Sequence, residues 1–164
     1  MEKIVQRPVV SFSGPALTSA IAVIAGLAVV LPFVTLGHLS QHMLTHIVSM
    51  CVVAPLIATA WTVLVPTRSV RPGVLWTATA LQIAALWLWH LPAAHHLAAA
   101  SAAGTLAMHA SLLTAAVWFW YALITLRPSQ QWQAILALLI TGKLACLLAG
   151  LLVLAPHAVL AAHS

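Results

Sequence analysis

Histidine is the ionisable residue type that dominates this sequence, and part of its spacing suits metal binding. The 164 residues contain nine histidines but only seven charged side chains, six of them Lys or Arg and the seventh Glu2. His38, His42 and His46 follow one another at i, i+4 and i+8. In an α-helix each such step rotates by only about 40°, so the three imidazoles share one stripe. Because two histidines at i and i+4 can hold one ion together, we expect a metal site on this helix.

We expect His90 and His109 to complete this metal site from two other helices. The two residues lie near the ends of separate apolar segments, at a depth similar to that of the stripe. Imidazole binds copper, zinc, iron and nickel. The thioethers of Met43 and Met108 are possible auxiliary ligands, and soft ligands of this kind favour Cu(I). We expect the remaining imidazoles to be satisfied by water and lipid headgroups instead; they are His95, His96, His157 and His163.

The composition identifies the kind of protein that carries these histidines. Only 4% of the residues are charged, whereas soluble domains contain roughly 25%. This scarcity of charge excludes a soluble enzyme, a disordered chain and a nucleic-acid binder. Five apolar segments are long enough to span a bilayer as helices. They predict an all-α, polytopic transmembrane bundle that forms a single domain over 1–164, with helices near 16–36, 39–65, 74–91, 103–126 and 132–155.

The cations predict how this bundle is oriented. With five helices, five of the six cations fall on one side of the membrane, and all nine histidines fall in the opposite half. The positive-inside rule makes the cationic side cytoplasmic, which places the N-terminus inside and the C-terminus outside. The five cations are Lys3, Arg7, Arg68, Arg71 and Arg127. We predict that the Ala-rich stretch 92–102 forms an interfacial loop or a short amphipathic turn that begins at Pro92.

Three further side chains fall within the predicted spans. Lys143, near the middle of the fifth helix, costs about 2.5–3.5 kcal/mol on insertion scales. It either snorkels to the headgroups, stays neutral, or meets a carboxylate on a partner subunit. Cys51 and Cys146 are expected near the bilayer centre, where thiols usually behave as small hydrophobic groups. A disulfide between them would require their helices to pack together.

Several blocks of this sequence resemble the CtaG family of membrane proteins. The block at 38–43 (HLSQHM), followed by 55–56 (PL), is similar to the family's HMxQHM…PPL signature. The blocks 89–92 (WHLP) and 107–109 (AMH) with 118–120 (WFW) resemble its W-H-x-P and H-x-x-x-H…FW elements. The pattern differs at Leu113, where the family often has a second imidazole, and at His46, where it usually has an aliphatic residue. The family's terminal Asp-Gln…Gly…Met-Trp segment is missing, so we expect a member shortened at the C-terminus.

The resemblance implies a function, because the CtaG family is required to assemble haem–copper cytochrome c oxidases. It implies a multi-pass protein of the bacterial inner (plasma) membrane that handles or delivers copper at the outer side. Its partners would be subunits of the oxidase. Two alternatives remain open: an accessory subunit stably bound to a respiratory oxidase, and an outer-side protein that binds haem b or quinone. We expect no enzyme, because the sequence offers no constellation of nucleophile, base and orienting group.

Overall fold

The computed structural model describes the backbone of residues 38–154 and the side chains of residues 41–152. The chain divides into two compact units, 1–41 and 42–164, and the site described below lies within the second. The predicted helix near 16–36 falls outside the described residues, as do Lys3, Arg7, His157 and His163.

The described backbone is helical, with one isolated β-bridge between Val70 and Leu126. A first helical stretch consists of α1, a π-helical segment and α2, and it is followed by four further α-helices. The elements are α1 (His38–Val48), the π-helical segment (Ser49–Val53), α2 (Ala54–Leu64), α3 (Pro72–Trp89), α4 (Pro92–Ala99), α5 (Ala102–Thr125), a short 3-10 turn (Pro128–Gln130) and α6 (Gln131–Leu154). The ends of the four spans predicted within this region lie within two residues of these bounds.

Three of these helical stretches are long and apolar enough to cross a membrane. They cover Gln41–Leu64, Ala102–Thr125 and Pro128–Leu152. A fourth crossing is formed if α3 and α4, which are bent by 75° at the break between them, count as one span. The prediction of an all-helical chain is therefore confirmed for the described residues, which include three helical stretches long and apolar enough to cross a membrane.

Prolines and a serine determine where the helices begin. Pro72 and Pro92 occupy the first positions of α3 and α4, where a missing N–H costs no intrahelical hydrogen bond. Ser101 caps α5, because its hydroxyl oxygen accepts a hydrogen bond of 3.0 Å from the N–H of Gly104. The sequence interpretation of 92–102 as a loop or short turn underestimated its order, since eight of these residues form α4.

Small residues allow the helices to pack closely. The largest core cluster joins α3, α5 and α6 through Leu75, Phe119 and several alanines. Ala78, Ala122 and Ala137 are fully buried in it. The outward faces are apolar as well, with Trp132, Ile135 and Leu139 of α6 largely exposed. Apolar side chains on both the inner and the outer face of a helix are typical of a bundle that is solvated by lipid.

The π-helical segment is stabilised by a side chain from α5. The N–H of Ala54 donates to Ser49, five residues earlier, instead of to the carbonyl of Met50. The next donor in a π pattern would be Pro55, which has no N–H. The Met50 carbonyl is therefore deprived of both helical donors, and the indole N–H of Trp120 donates to it at 2.8 Å.

The two connections that carry arginines meet at one end of the bundle. The N–H of Val70 donates to the carbonyl of Thr125 at 3.2 Å, which brings Arg68 and Arg71 to the same end as Arg127. From this end α3 runs for 18 residues, or about 27 Å, to His90. The arginines of these connections and His90 thus lie at opposite ends of α3.

Candidate metal centre

The first two imidazoles of the centre come from α1. His42 and His46 are one helical turn apart, and their Nε2 atoms lie 3.0 Å from each other. His46 is the more buried of the pair, with 4% of its surface exposed. The predicted stripe therefore does bring these two rings together on one face of the helix. Two imidazole nitrogens bound to one ion at 2.0–2.1 Å in tetrahedral geometry would be about 3.3 Å apart, which is close to the observed separation.

The third imidazole comes from the C-terminal end of α3. His90 caps this helix, and its Nδ1–H donates to the carbonyl of Leu86 at 2.7 Å. In the neutral tautomer that makes this hydrogen bond, Nε2 carries the lone pair, and Nε2 is buried. A backbone carbonyl that accepts from the distal nitrogen is the usual outer support of a metal-binding histidine. The adjacent Trp89 anchors this end of α3 to α5, because its indole N–H donates to the hydroxyl of Ser111 at 2.8 Å.

His109 on α5 has the same arrangement. Its Nδ1–H donates to the carbonyl of Thr105 at 2.8 Å, so its Nε2 is also free to accept or to coordinate. The ring is stacked on that of His46, with 5.3 Å between centroids and 27° between planes. Because helices α3 and α5 each present an imidazole with the same nitrogen unprotonated, both rings are prepared to act as ligands.

The four rings converge on a common space. One nitrogen each from His42, His46 and His90 lies within 4.8 Å of the other two. The ring of His46 is 5.7 Å from that of His90, and His42 is 6.2 Å from His90 and 6.4 Å from His109 between centroids. We call His42, His46, His90 and His109 the histidine cluster. Within the described part of the chain, His42, His46 and His90 have nitrogens close enough together to hold one ion, and His109 lies beside them.

Two nitrogens of the cluster are buried without a hydrogen-bond partner. They are Nδ1 of His46 and Nε2 of His90. A buried polar atom that loses water without gaining a partner costs about 1–3 kcal/mol. A cation that took a lone pair of His90 would remove this penalty, as a bound metal commonly does for orphaned polar groups. A bound ion would thus supply the missing partner of His90, whereas the unpartnered Nδ1 of His46 is not the nitrogen that faces His42.

The centre has no acidic side chain that could balance the charge of a bound cation. The residues of 38–154 include no Asp or Glu, since the single acid of the chain is Glu2. Neutral imidazoles leave the charge of a bound cation uncompensated. Removing a dication from water therefore costs more at this site than removing a monovalent ion.

The other residues predicted for the site have different surroundings. His38 begins α1, but its side chain lies outside the described ones. Met43 is half-buried beside His42, and Met108 is buried in a hydrophobic cluster with Ala98 and Leu112. The positions of these side chains leave the prediction of thioether ligands untested.

The three side chains singled out inside the spans are all exposed on the surface of the bundle. Lys143 lies on α6, where its surroundings in the protein include no acid among the described residues. Cys51 and Cys146 are free thiols rather than a disulfide. None of the three belongs to the histidine cluster.

The structure adds one imidazole that the sequence interpretation assigned to the solvent. His95 on α4 lies with its ring centroid 5.7 Å from that of His42. It is exposed, whereas the other rings are half-buried or buried. The bend after His90 turns α4 back toward the cluster, and only Pro92 signals this bend in the sequence.

Comparisons with protein-family models, with curated proteins and with solved structures gave no match to this chain. The resemblance to the CtaG family therefore remains a prediction from the sequence blocks, and the geometry of the histidine cluster is independent of it.

Proposed function

We propose that this protein binds a copper ion in the histidine cluster and delivers it to a haem–copper oxidase during assembly. The observation that carries the proposal is the convergence of His42, His46 and His90 from two helices, with Nε2 of His90 buried and unpartnered. The arrangement supports reversible binding of an ion by imidazoles. The oxidase as recipient is supported by the sequence blocks that resemble the CtaG family.

Copper in the monovalent state fits this centre better than zinc or divalent copper. Imidazole binds all of these ions, so ligand type alone does not choose among them. The charge of the ion distinguishes among them, because the described spans contain no carboxylate to neutralise a dication. Removing a dication from water costs more than removing Cu(I) in the same site. We therefore expect Cu(I) to be the form that the cluster holds.

The proposed location is the bacterial inner membrane, with the N-terminus inside, the C-terminus outside and the cluster in the outer half. The meeting of Arg68, Arg71 and Arg127 at one end of the bundle supports this topology through the positive-inside rule. His90 at the other end of α3 then faces the outer side. Copper would thus be offered from a depth at which a membrane-embedded oxidase centre could accept it.

Haem is the competing occupant, and the packing of the rings disfavours it. A haem iron takes its two axial imidazoles on opposite faces of the macrocycle. His42 and His46 have their Nε2 atoms 3.0 Å apart, which leaves no room for a macrocycle between them. The other ring pairs of the cluster are also close, with 5.3–6.4 Å between centroids, so two rings would have to separate before haem could bind, whereas a bare ion requires only small shifts.

Metal analysis of the purified full-length protein tests the proposal. We expect close to one copper per chain after anaerobic incubation with Cu(I), and no Soret band. His46→Ala should abolish this copper, and His96→Ala, which alters an exposed imidazole outside the cluster, should retain it. Copper that persists in a His42→Ala/His109→Ala double variant would contradict the site. A Soret band in protein purified from cells would favour haem.

The role as a transient assembly factor needs a separate measurement. A factor that delivers copper should bind the oxidase mainly while assembly proceeds. At steady state we therefore expect fewer copies of this chain than of the oxidase in the recovered complexes. Stoichiometric recovery with the mature oxidase would instead indicate the accessory subunit. Mass spectrometry of complexes captured through a tagged copy of this chain distinguishes the two.

A further inference from the structure

We propose that His95 on α4 is the exchange ligand through which the copper ion enters and leaves the histidine cluster. This inference rests on the proposed copper binding and adds the route by which the ion moves. The inference is based on the position of His95. Its imidazole is exposed on the surface of the protein, yet its ring centroid is 5.7 Å from that of His42.

The rings form a gradient of burial from His95 inward. His95 is exposed, His42 is half-buried, and His46 is 4% exposed. The rings of His42 and His46 are 4.3 Å apart, in edge-to-face contact. Each ring along this line is therefore in reach of the next, and an ion can pass from His95 to His42 and then to His46 without leaving imidazole.

The position of His95 depends on how α4 is fixed to α5. At Gly104 a Cβ atom would lie 2.5 Å from the carbonyl oxygen of Leu97, so only glycine permits this approach of the two helices. The hydroxyl of Thr105 donates to the carbonyl of Ala98 at 2.8 Å. Two contacts to neighbouring residues of α5 thus fix the end of α4, two and three residues beyond His95.

Thr105 also links α4 to the cluster. Its hydroxyl holds Ala98, while its backbone carbonyl accepts the Nδ1–H of His109. A single residue thus positions the helix that carries the exposed imidazole and orients a ring inside the cluster. This shared support keeps His95 at a fixed distance from the buried rings, as a ligand that relays an ion must be.

The exchange itself is a substitution at the metal. A bond from copper to the neutral imidazole of His95 forms while a bond to a nitrogen of the cluster breaks, and the released nitrogen keeps its electron pair. Copper remains Cu(I) throughout, and no proton or electron is transferred. Since His95 assists both loading and release, its loss should slow the two rates alike and leave the affinity unchanged.

Stopped-flow measurements on the full-length protein in detergent test this inference. Loading is followed with Cu(I) alone, and release with an excess of a water-soluble Cu(I) chelator. In His95→Ala we expect both rates to fall by about tenfold, with an unchanged ratio between them. His96→Ala is the matched control, since it removes the neighbouring exposed imidazole of the same helix; both of its rates should equal those of the wild type.

Two results would contradict the exchange role of His95, and a third would contradict the proposed function. Unchanged rates in His95→Ala would overturn the exchange role. Loss of bound copper in this variant would also overturn it, because His95 would then be a resident ligand. Failure of the wild type to bind Cu(I) would refute the proposed function itself and the inference that rests on it. Far-ultraviolet circular dichroism of both variants establishes that the helices are retained.

Discussion

Trp120 on α5 donates its indole N–H to the backbone carbonyl of Met50 at 2.8 Å. Met50 follows the buried His46 by four residues in the chain. This carbonyl lies in the π-helical segment, where Ala54 donates to Ser49 instead and Pro55 has no N–H to offer. The hydrogen bond therefore ties α5 to the helix of the stripe at the place where the helical pattern is broken. Such π segments often accompany functional sites, and here the segment directly follows α1.

Trp120→Phe should destabilise the protein, because it leaves the carbonyl of Met50 buried without a donor. The expected loss is about 1–3 kcal/mol of the free energy of unfolding. Restoring a backbone donor should compensate for part of it, so Pro55→Ala should recover stability in the Trp120→Phe background. Unfolding in mixed detergent micelles measures both effects. Equal stability of Trp120→Phe with and without Pro55→Ala would show that the missing donor is not the cause.

Gly104→Ala should disturb the cluster from a distance. The added Cβ would collide with the carbonyl of Leu97 at 2.5 Å, and the cost of such overpacking is about 1–3 kcal/mol. We expect lower stability and slower exchange of copper, because α4 and His95 are displaced. Gly142→Ala is the matched control, since a Cβ at this helical glycine meets nothing within 4 Å. Similar effects of the two substitutions would contradict a specific role for the approach of α4 to α5.

Much of the fold follows from the apolar runs of the sequence, because in lipid the backbone must satisfy its own hydrogen bonds and therefore forms helices. The pairing of His42 with His46 could be predicted from their spacing. The proximity of His90 and His109 to this pair could be predicted from their depth in the spans. His95 could not be found this way. Its position depends on the 75° bend and on the close approach at Gly104, and both arise from tertiary packing.

The π-helical segment also escaped prediction. Its register change depends on contacts with α5, and the sequence shows only Pro55 in a helix that is otherwise continuous. The burial of His46 was equally hard to judge, because an imidazole on an apolar helix is found at interfaces as well as in cores. The packing of the neighbouring helices around the ring determines whether such an imidazole is buried, and the sequence does not show this packing.

Lys143→Leu should weaken the binding of a partner subunit. The lysine is exposed on α6, and no carboxylate of the described residues can pair with it. A partner helix with an acid at the same depth would supply the missing charge, and removing the lysine would forfeit that attraction. The measurement is recovery of the oxidase complex by affinity capture, with Lys143→Arg as the variant that retains the charge. Unchanged recovery in Lys143→Leu would contradict the partner contact and leave snorkelling to the headgroups or a neutral lysine.

X-ray absorption at the copper K edge, recorded on the Cu(I)-loaded protein, tests the histidine cluster most directly. We expect the edge of monovalent copper and a first shell of two to four nitrogens at about 2.0 Å, with the outer-shell scattering of imidazole. The signal should be lost from His46→Ala prepared in parallel. A first shell dominated by sulfur would place copper on the cysteines or methionines instead, and it would contradict binding by the histidine cluster.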